Sequence, residues 1–394
     1  MKLHEFQSKE LLSPFGIPIP EGRVAASADD AERLARRLNC RSFAVKAQVH
    51  AGGRSASGGI KFASDPGEVR AIAGQLLGRP LVTAQTGPAG QPVRWVYVEE
   101  KIEAARSLYC AVMVDRAAGQ LVLMASRHGG EAIEERAARD PEAIARVSLR
   151  LQGDAAEGDF AGAAHRIGLD GPAAEAAATL FAALARAAAT LDATLVEINP
   201  LALTADGRLI ALDAKVVIDD NALFRHPDLA GLREASDGDE DDPAVLAADR
   251  HQLNYLRLDG DIGVVVNGAG LALATLDILR DAGGFPANFM DIRTTATSLD
   301  IAYAFELILG APRVRVIVVN VHGGGMQRCD TVVDGIGIGL RRTGRSLPMV
   351  VRLAGNNAEF AYDRLKSYGI AYTDAADMWD AATRAVGLLK REAA

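Results

Sequence analysis

Four polar residues flank a turn signal near the middle of the chain. Glu197 and Asn199 precede the turn, Asp213 and Lys215 follow it, and apolar residues fill both arms of a predicted β-hairpin. A carboxylate beside an amide oxygen suits a hard cation, because Mg²⁺ takes one or two such protein ligands and adds water and phosphate oxygens. The alternative is an ordinary cross-strand polar cluster with a Glu–Lys pair, which would contribute little to stability.

The register of the hairpin decides whether these side chains can act together. A two-residue loop, 206–207, would place Asn199 and Asp213 on opposite faces. A three-residue loop, 205–207, has glycine at the left-handed position of a bulged turn and pairs Asn199 with Asp213. In that register all four polar side chains share one face, because strand side chains alternate with a period of two.

A glycine-rich segment, residues 49–59, follows the predicted strand Ser42–Lys46. Such a loop lets backbone N–H groups close on phosphate oxygens, and Lys46 would add a point charge. The loop lacks the Gly-Lys-Ser/Thr of a Walker loop, and taken alone it is equally compatible with a plain turn. Glu99 lies near the end of the strand that begins at Trp95, where it would contact a ribose or base, or be solvated.

Composition limits the classes of function that remain. A length of 394 residues predicts two or three domains. The net charge of −8 gives no general attraction to nucleic acid or an anionic membrane, and the 5% of aromatic residues argues against base-stacking platforms. Cys40, Cys110 and Cys329 lack metal-site spacing and indicate a reducing compartment. With no signal peptide and no apolar run that spans a bilayer, we expect a cytoplasmic protein.

The first 240 residues show mixed helix and strand patterns. Residues 1–13 predict an amphipathic helix whose apolar side chains are Leu3, Phe6, Leu11 and Leu12. The alanine- and glutamate-rich stretch of roughly 131–191 predicts helix, interrupted near 153–160. Asp219 and Asp220 predict either a second acidic edge of the site or a helix N-cap. The acidic, turn-rich stretch 234–243 is the predicted boundary between domains 1–240 and 241–394.

Beyond residue 240, buried-type strands alternate with helices, which predicts a doubly wound α/β domain. Small-residue loops such as 267–270 follow the strands, where such folds bind ligands. Gly323–Gly325 are predicted to lie at a helix N-terminus and to form an anion site. The dinucleotide fingerprint G-x-G-x-x-G is absent from the sequence, so a dinucleotide is not implied.

Several longer motifs occur together along the whole chain. They are Leu3-His-Glu-Phe-Gln7, Lys46-Ala-Gln-Val-His-Ala-Gly-Gly-Arg54, Glu197-Ile-Asn-Pro200, Asp213-Ala-Lys215, Asp220-Asn-Ala-Leu-Phe-Arg225, Val266-Asn-Gly-Ala-Gly-Leu271, Pro286-Ala-Asn288 and Arg328-Cys-Asp330. In this order they resemble the β subunit of ADP/GDP-forming acid–CoA ligases, the succinyl-CoA synthetase group, which includes malate–CoA ligases. A run of ordered motifs is far more specific than any one of them.

The resemblance implies an α/β fold class: an ATP-grasp domain (1–240), itself α+β, followed by a doubly wound, flavodoxin-like CoA-ligase domain (241–394). It implies Mg²⁺ held by Asn199 and Asp213, and Glu197 as a catalytic residue that faces a visiting phosphohistidine. The implied nucleotide-binding residues are Lys46, Gly53, Arg54, Ser55, Glu99, Ile102 and Ser107. The implied acid-binding residues are Asn267, Gly323, Gly324 and Gly325, to which the hypothesis below adds Arg293.

The resemblance also implies a partner. The phosphohistidine and most of the CoA site belong to an α subunit, and none of the seven histidines here lies in that subunit's motif. The expected assembly is αβ or (αβ)₂, with the chain inactive alone. ATP or GTP would phosphorylate the partner's histidine, the phosphate would pass to a carboxylic acid, and CoA would attack the acyl phosphate. The sequence selects neither the nucleotide nor the acid.

The chain departs from the family pattern at three places in the ligase half. Phe285 replaces a glutamate, Arg293-Thr-Thr295 replaces a glycine run, and the loop 322–327 is one residue longer. On the nucleotide side, Ile102 and Ser107 stand where polar or acidic groups are common. We expect altered acid specificity, with Arg293 as a forked donor to an anionic substrate. The alternatives are neutral drift, a regulatory or scaffold paralogue that binds nucleotide without ligase activity, or a self-contained ATP-grasp ligase.

Overall fold

The computed structural model describes residues 1–130, 133, 138–152, 155–229, 231–232, 243–324 and 327–392. The chain divides into two units, Met1–Glu240 and Asp241–Ala394. The helices of the first unit are α1 Glu5–Leu12, α2 Ala28–Ala35, α3 Pro66–Leu76, α4 Phe160–Arg166 and α5 Gly171–Thr190. Its strands are β1 Gly22–Ala25, β2 Phe43–Gln48, β3 Ile60–Ala63, β4 Pro80–Leu81, β5 Gln91–Pro92, β6 Trp95–Glu100, β7 Arg106–Asp115, β8 Gln120–Ser126, β9 Ile144–Ser148, β10 Arg150–Gln152, β11 Ala155–Glu157, β12 Ala193–Leu203, β13 Leu209–Ala211 and β14 Ala214–Ile218.

Two antiparallel sheets organise the first unit. The smaller has the order β1-β6-β2-β3, and α2 and α3 pack on it around valines of β2 and β6. The larger has the order β13-β12-β7-β8-β9, with β14 paired to the first part of β12. Helix α5 covers the larger sheet with Phe181 and Leu184, both fully buried. Asp65 caps α3 through the N–H groups of Gly67 and Glu68, which satisfies donors at the helix start.

The hairpin adopts the three-residue register. Glu197 pairs with Lys215 and Leu203 with Leu209, and the N–H of Thr204 donates to the carbonyl of Arg208. The loop is therefore 205–207. Gly207 has a φ of +83°, a conformation that costs glycine little. In this register Glu197 lies opposite Lys215 and Asn199 lies opposite Asp213, so the four polar residues share one face of the hairpin.

One helix prediction is wrong. Residues 144–148 and 150–152 form strands β9 and β10 instead, and β9 pairs with β8, where Val147 opposes Leu123. Strand β11 falls within the predicted interruption. In β9, cross-strand pairing and burial of Ile144 and Val147 outweigh the helix propensity of the alanines. The prediction for 131–132 and 134–137 lies outside the described residues.

The N-terminal helix also differs from its prediction. Helix α1 buries Glu5, Gln7, Ser8 and Lys9 with Leu12, so the buried face is mostly polar. The reason is tertiary, because that face meets charged groups of the smaller sheet and the hairpin rather than a hydrophobic core. The buried charges of α1 indicate that a binding site lies beside this helix.

The second unit is a doubly wound sheet, as predicted. Its strands are β15 Leu253–Arg257, β16 Ile262–Asn267, β17 Asn288–Ile292, β18 Val316–Gly323, β19 Met349–Gly355 and β20 Thr373–Asp374, in the order β15-β17-β16-β18-β19-β20. Its helices are α6 Pro243–Arg250, α7 Ala269–Asp281, α8 Ser298–Gly310, α9 Cys329–Thr343, α10 Ala358–Ser367 and α11 Met378–Glu392. Helices α8, α9 and α10 bury one face, and α7 and α11 bury the other. The sheet is parallel except at the edge strand β15, which the sequence patterns did not reveal.

Candidate functional site

A cavity of about 880 Å³ in the first unit collects most of the predicted nucleotide and metal residues. Its lining includes Lys46, Gly53, Arg54, Ser55, Glu99, Ile102, Glu197, Asn199, Asp213 and Lys215. Among the residues described, Ser107 is not part of this lining, and it is exposed at the start of β7. Phe62, Gln85, Glu100, Lys101 and Gly130 also line the cavity and were not singled out from the sequence.

The hairpin face forms one wall of the cavity. Glu197, Asn199, Asp213 and Lys215 all line it, as the three-residue register requires. The Oδ1 of Asn199 accepts a hydrogen bond from the N–H of Gly130 at 2.6 Å, and its Nδ2 donates to the carbonyl of the same residue at 3.2 Å. These bonds fix the orientation of the Asn199 side chain at the cavity wall.

The glycine-rich loop forms another part of the lining. Gly53 has a φ of +73°, and the N–H of Gly59 donates to the carbonyl of Arg54 at 2.7 Å. The N–H of Gly52 donates to Oε1 of Gln85 at 2.7 Å. A Cβ on Gly59 would lie 2.7 Å from a methyl group of Leu81, so close packing requires glycine there.

Below the cavity, two lysines share the same oxygen partners. Lys46 Nζ lies 2.8 Å from Glu5 and 2.5 Å from Glu99, and it donates to the carbonyl of Leu212. Lys9 Nζ lies 2.9 Å from Glu5 and 2.6 Å from Glu99, and it donates to the same carbonyl at 2.7 Å. Lys9 is fully buried, whereas Lys46 lines the cavity. The shared partners hold the Lys46 ammonium at the cavity floor.

Arg54 connects this arrangement to the hairpin. Its Nη2 lies 2.7 Å from Glu5 and 2.7 Å from Asp213, and its Nη1 donates to the carbonyl of Ala47 at 2.8 Å. The buried ionic cluster therefore contains as many carboxylates as cations: Glu5, Glu99 and Asp213 with Lys9, Lys46 and Arg54. The balance of charge explains how so many ionised groups are buried together.

The pKa values follow from the same contacts. Burial alone would raise the pKa of Glu5, but the charges of Lys46, Lys9 and Arg54 outweigh it and hold that pKa well below its usual range. Burial alone would lower the pKa of Lys46, but Glu5 and Glu99 outweigh it, so the pKa is raised. Lys46 is therefore cationic at pH 7.

A pair of histidines joins helix α1 to the glycine-rich loop. The rings of His4 and His50 stack with centroids 3.8 Å apart, and His50 lines the cavity. Burial, with the nearby His50 and Arg54, lowers the pKa of His4 to about 3, so its ring is neutral at pH 7. The start of α1 thus supports the loop by ring stacking as well as by charge.

The structure excludes one of the two environments predicted for Glu99. The residue is 1% exposed, and its two carboxylate oxygens contact Lys9 and Lys46. Burial contradicts the solvated alternative, whereas contact with a ribose or base stays a prediction, because Glu99 also lines the cavity. The sequence analysis gave no role to Glu5 or Lys9; their signal was a pair of charges four residues apart on a short helix.

The predicted acid-binding residues lie at the carboxyl ends of strands in the second unit. Asn267 ends β16, its Nδ2 donates to the carbonyl of His322 at 2.8 Å, and the His322 N–H donates back to Oδ1 at 2.9 Å. The prediction that Gly323 lies at a helix N-terminus is wrong, because Gly323 belongs to β18 and α9 begins at Cys329. The Gly324 N–H donates to the carbonyl of Gln327 at 3.0 Å. Gly325 lies outside the described residues.

Arg293, predicted to face an anionic substrate, is engaged by protein groups. Its Nη2 lies 2.6 Å from Oδ1 of Asp249, and its Nε and Nη2 donate to Oδ1 of Asn254 at 2.9 and 2.8 Å. The structure thus brings Arg293 to neighbours on α6 and β15. The exposed Phe285 packs under the guanidinium of Arg280, 5.0 Å from its ring centroid.

Two family models match the chain. The model of the ATP-grasp domain matches residues 2–203, and the CoA-ligase model matches residues 265–386. Among curated proteins, the β subunit of the ADP-forming succinate–CoA ligase of Acidiphilium cryptum is 44% identical over 406 aligned positions, which cover 100% of both chains. The same subunit of Myxococcus xanthus is 44% identical and covers 99% of this chain and 100% of that one.

The chain belongs to the family of ADP-forming succinate–CoA ligase β subunits. The predicted family and enzyme class are confirmed: an acid–CoA ligase β subunit whose family releases a nucleoside diphosphate. The predicted order of an ATP-grasp and a CoA-ligase domain is confirmed as well. A β subunit of such a ligase implies an α subunit as its partner.

A solved structure supports the fold of this ligase β subunit. The ATP citrate lyase from Methanothrix soehngenii, in complex with citrate and coenzyme A, matches with a TM-score of 0.73 at 16% identity and covers 99% of both chains. At that identity the match shows the fold alone. No helix within the described ranges is long and apolar enough to cross a membrane.

Proposed function

We propose that this β subunit binds Mg²⁺–ATP in the cavity of its first unit and, with an α subunit, forms an acyl-CoA from a carboxylic acid. The observation that carries the proposal is the shared lining of one cavity by the hairpin face, the glycine-rich loop and Lys46. Phosphate binding needs cations and backbone amides, and the metal needs adjacent oxygen ligands. The proposed functional domains are 1–240 and 241–394.

The residues fit a magnesium ion. Asn199 and Asp213 occupy facing positions of the hairpin, and the Asn199 N–H donates to the Asp213 carbonyl at 3.2 Å. The described residues contain no group of three or more His, Cys, Asp or Glu side chains suited to a metal. An amide and a carboxylate are nonetheless enough for Mg²⁺, whose remaining ligands are water and phosphate. Bound there, the ion would neutralise charge on the transferring phosphate.

The protein's own groups would position the phosphates. Lys46, held by Glu5 and Glu99, presents a fixed positive charge, and amides of the 53–55 segment would approach phosphate oxygens. Arg54 would exchange its contact with Asp213 for a phosphate contact. Glu197 on the same wall would face the phosphohistidine of the α subunit.

The acid would bind in the second unit at Asn267 and the 323–325 loop, near the carboxyl ends of β16 and β18. The relatives' names favour succinate as the acid and ATP as the nucleotide. We propose that the subunit works in the cytoplasm as αβ or (αβ)₂, and that CoA is bound mainly by the α subunit.

Coupled turnover tests the proposal. The chain is co-expressed with an α-type subunit, and ADP or GDP release is followed with ATP or GTP, CoA, Mg²⁺ and a panel of succinate, malate, itaconate and citrate. ATP-dependent phosphorylation of the α subunit, followed by turnover with one acid, is expected. A stable complex that binds Mg²⁺–ATP but neither phosphorylates the α subunit nor turns over would contradict ligase function and favour a regulatory paralogue.

A further inference from the structure

A continuous series of polar contacts links a half-buried arginine to the backbone of the predicted acid site in the second unit. Arg293 follows β17 directly and bonds Asn254 on β15. Asn254 Nδ2 donates to Oδ2 of Asp291 at 2.9 Å, across the antiparallel pair in which the two residues are direct partners. Oδ1 of Asp291 accepts the N–H of Gly268 at 2.6 Å.

The contact between Asp291 and Gly268 lies next to Asn267, where it can influence the conformation of the Asn267–Gly268 turn. Gly268 follows Asn267 and caps α7 with a φ of +90°, and the hydrogen bond from its N–H to Asp291 constrains this turn. Asp291 is 8% exposed and lies between β15 and β16 in the sheet order. Because it is buried, its orientation depends on its hydrogen-bond donors, of which Asn254 is one.

An ion pair holds Arg293, at the other end of this series of contacts. Asp249 on α6 lies 2.6 Å from Arg293 Nη2. The arginine therefore donates to Asp249 and Asn254 at once, which fixes the Asn254 amide with its oxygen toward Arg293 and its nitrogen toward Asp291. Without Arg293, Oδ1 of Asn254 would lose two donated hydrogen bonds, and the orientation of the amide would be less constrained.

We propose that Arg293 is a positioning residue for the acid site: it acts through Asn254 and Asp291 to orient the Asn267–Gly268 turn, without touching the substrate. This inference rests on the proposed function, since it takes Asn267 as an acid-binding residue. It replaces direct contact between Arg293 and an anionic substrate, because the structure places its Nη2 and Nε on Asp249 and Asn254. Loss of Arg293 would therefore change the KM for a carboxylic acid bound at this turn.

The test uses the complex with the α subunit, three variants of the contact series and one control variant. Arg293→Gln and Asn254→Asp each break one link, the second by setting a carboxylate against Asp291. We expect both to raise KM for succinate, or for malate if the wild type turns over that acid, by roughly fivefold or more, with kcat changed less. Arg293→Lys keeps the charge and a single donor nitrogen, so its KM should rise less than that of Arg293→Gln. Arg313→Gln, at an exposed ion pair with Asp259, is the matched control and should change nothing.

Each result decides a different point. ATP-dependent phosphorylation of the α subunit without acid should be equal in all variants, which separates this inference from the nucleotide site. If the wild type fails that step, the proposed function fails with it. An unchanged KM for acid in both Arg293→Gln and Asn254→Asp would overturn the proposal that Arg293 acts through Asn254 and Asp291. A rise in Arg293→Gln alone would overturn it too, because the effect would then not pass through Asn254.

Discussion

The guanidinium of Arg54 lies 2.7 Å from the carboxylate of Asp213, and this ion pair joins the glycine-rich loop to the hairpin face. The side chain of Asp213 is 30% exposed, whereas that of Arg54 is 7% exposed. The carboxylate is therefore accessible from the cavity while it is held by a buried cation. A residue in that position can exchange partners when phosphates and a metal ion enter.

Replacing Asp213 should weaken the use of Mg²⁺. In the Asp213→Asn complex, we expect the Mg²⁺ concentration for half-maximal turnover to rise at least about tenfold, because a charged oxygen ligand becomes a neutral one. The measurement is a Mg²⁺ titration of ADP release. Asp206→Asn, in the exposed turn of the same hairpin, is the control and should behave as wild type. Equal Mg²⁺ dependence in Asp213→Asn and wild type would exclude Asp213 as a ligand.

Lys9 should be essential to the stability of the first unit. Lys9→Met keeps the side-chain length but leaves Glu5 and Glu99 short of one cation, so we expect the free energy of unfolding to fall by about 3–5 kcal/mol. Adding Glu99→Gln removes the surplus negative charge and should recover much of that loss. Lys366→Met, at an exposed site, should be neutral.

Chemical denaturation followed by far-ultraviolet circular dichroism measures all of these Lys9 variants. A double variant that is no more stable than Lys9→Met would show that charge balance is not the cause of the loss. A Lys9→Met protein as stable as wild type would show that the cluster contributes nothing through Lys9.

Acid should remove the contribution of Glu5. Because its folded pKa lies well below the ordinary value of about 4.3, its ionised form stabilises the fold above that pH, and the contribution is lost as the pH falls toward the folded pKa. We therefore expect the difference in unfolding free energy between wild type and Glu5→Gln to be constant from pH 8 to about 5.5 and to shrink below about 4.3. Denaturation curves at a series of pH values measure it. A difference that grows in acid would have the wrong sign for a depressed pKa.

The hairpin turn should depend on Gly207. Its φ of +83° is unfavourable for alanine, so Gly207→Ala should lower the free energy of unfolding by about 1 kcal/mol, although a Cβ there would meet nothing within 4 Å. Gly74→Ala, inside α3 with only ordinary contacts, is the control and should be neutral or stabilising. Thermal unfolding compares the two, and equal effects would mean that backbone conformation at residue 207 is unimportant.

The sequence determined the features that depend on local pattern. The glycine at 207 has the required left-handed conformation and thereby places the hairpin in its register, and the alternation of strands and helices after residue 240 indicates the doubly wound sheet. The ordered motifs were enough to identify the family from the sequence alone. These features follow from turn chemistry and from side-chain periods of two and 3.6, which neighbouring residues are enough to encode.

Tertiary structure decided which charges meet. Lys9 contacts Glu99, ninety positions along the chain, and the carbonyl of Leu212, more than two hundred positions away. No local period reports such contacts, so α1 was expected to bury an apolar face. Likewise, the direction of Arg293 depends on Asp249 and on the edge strand β15, whose pairing with β17 only the folded sheet reveals. Long-range packing determines where a long, flexible charged side chain finds its partner, and that information is spread over elements far apart in sequence.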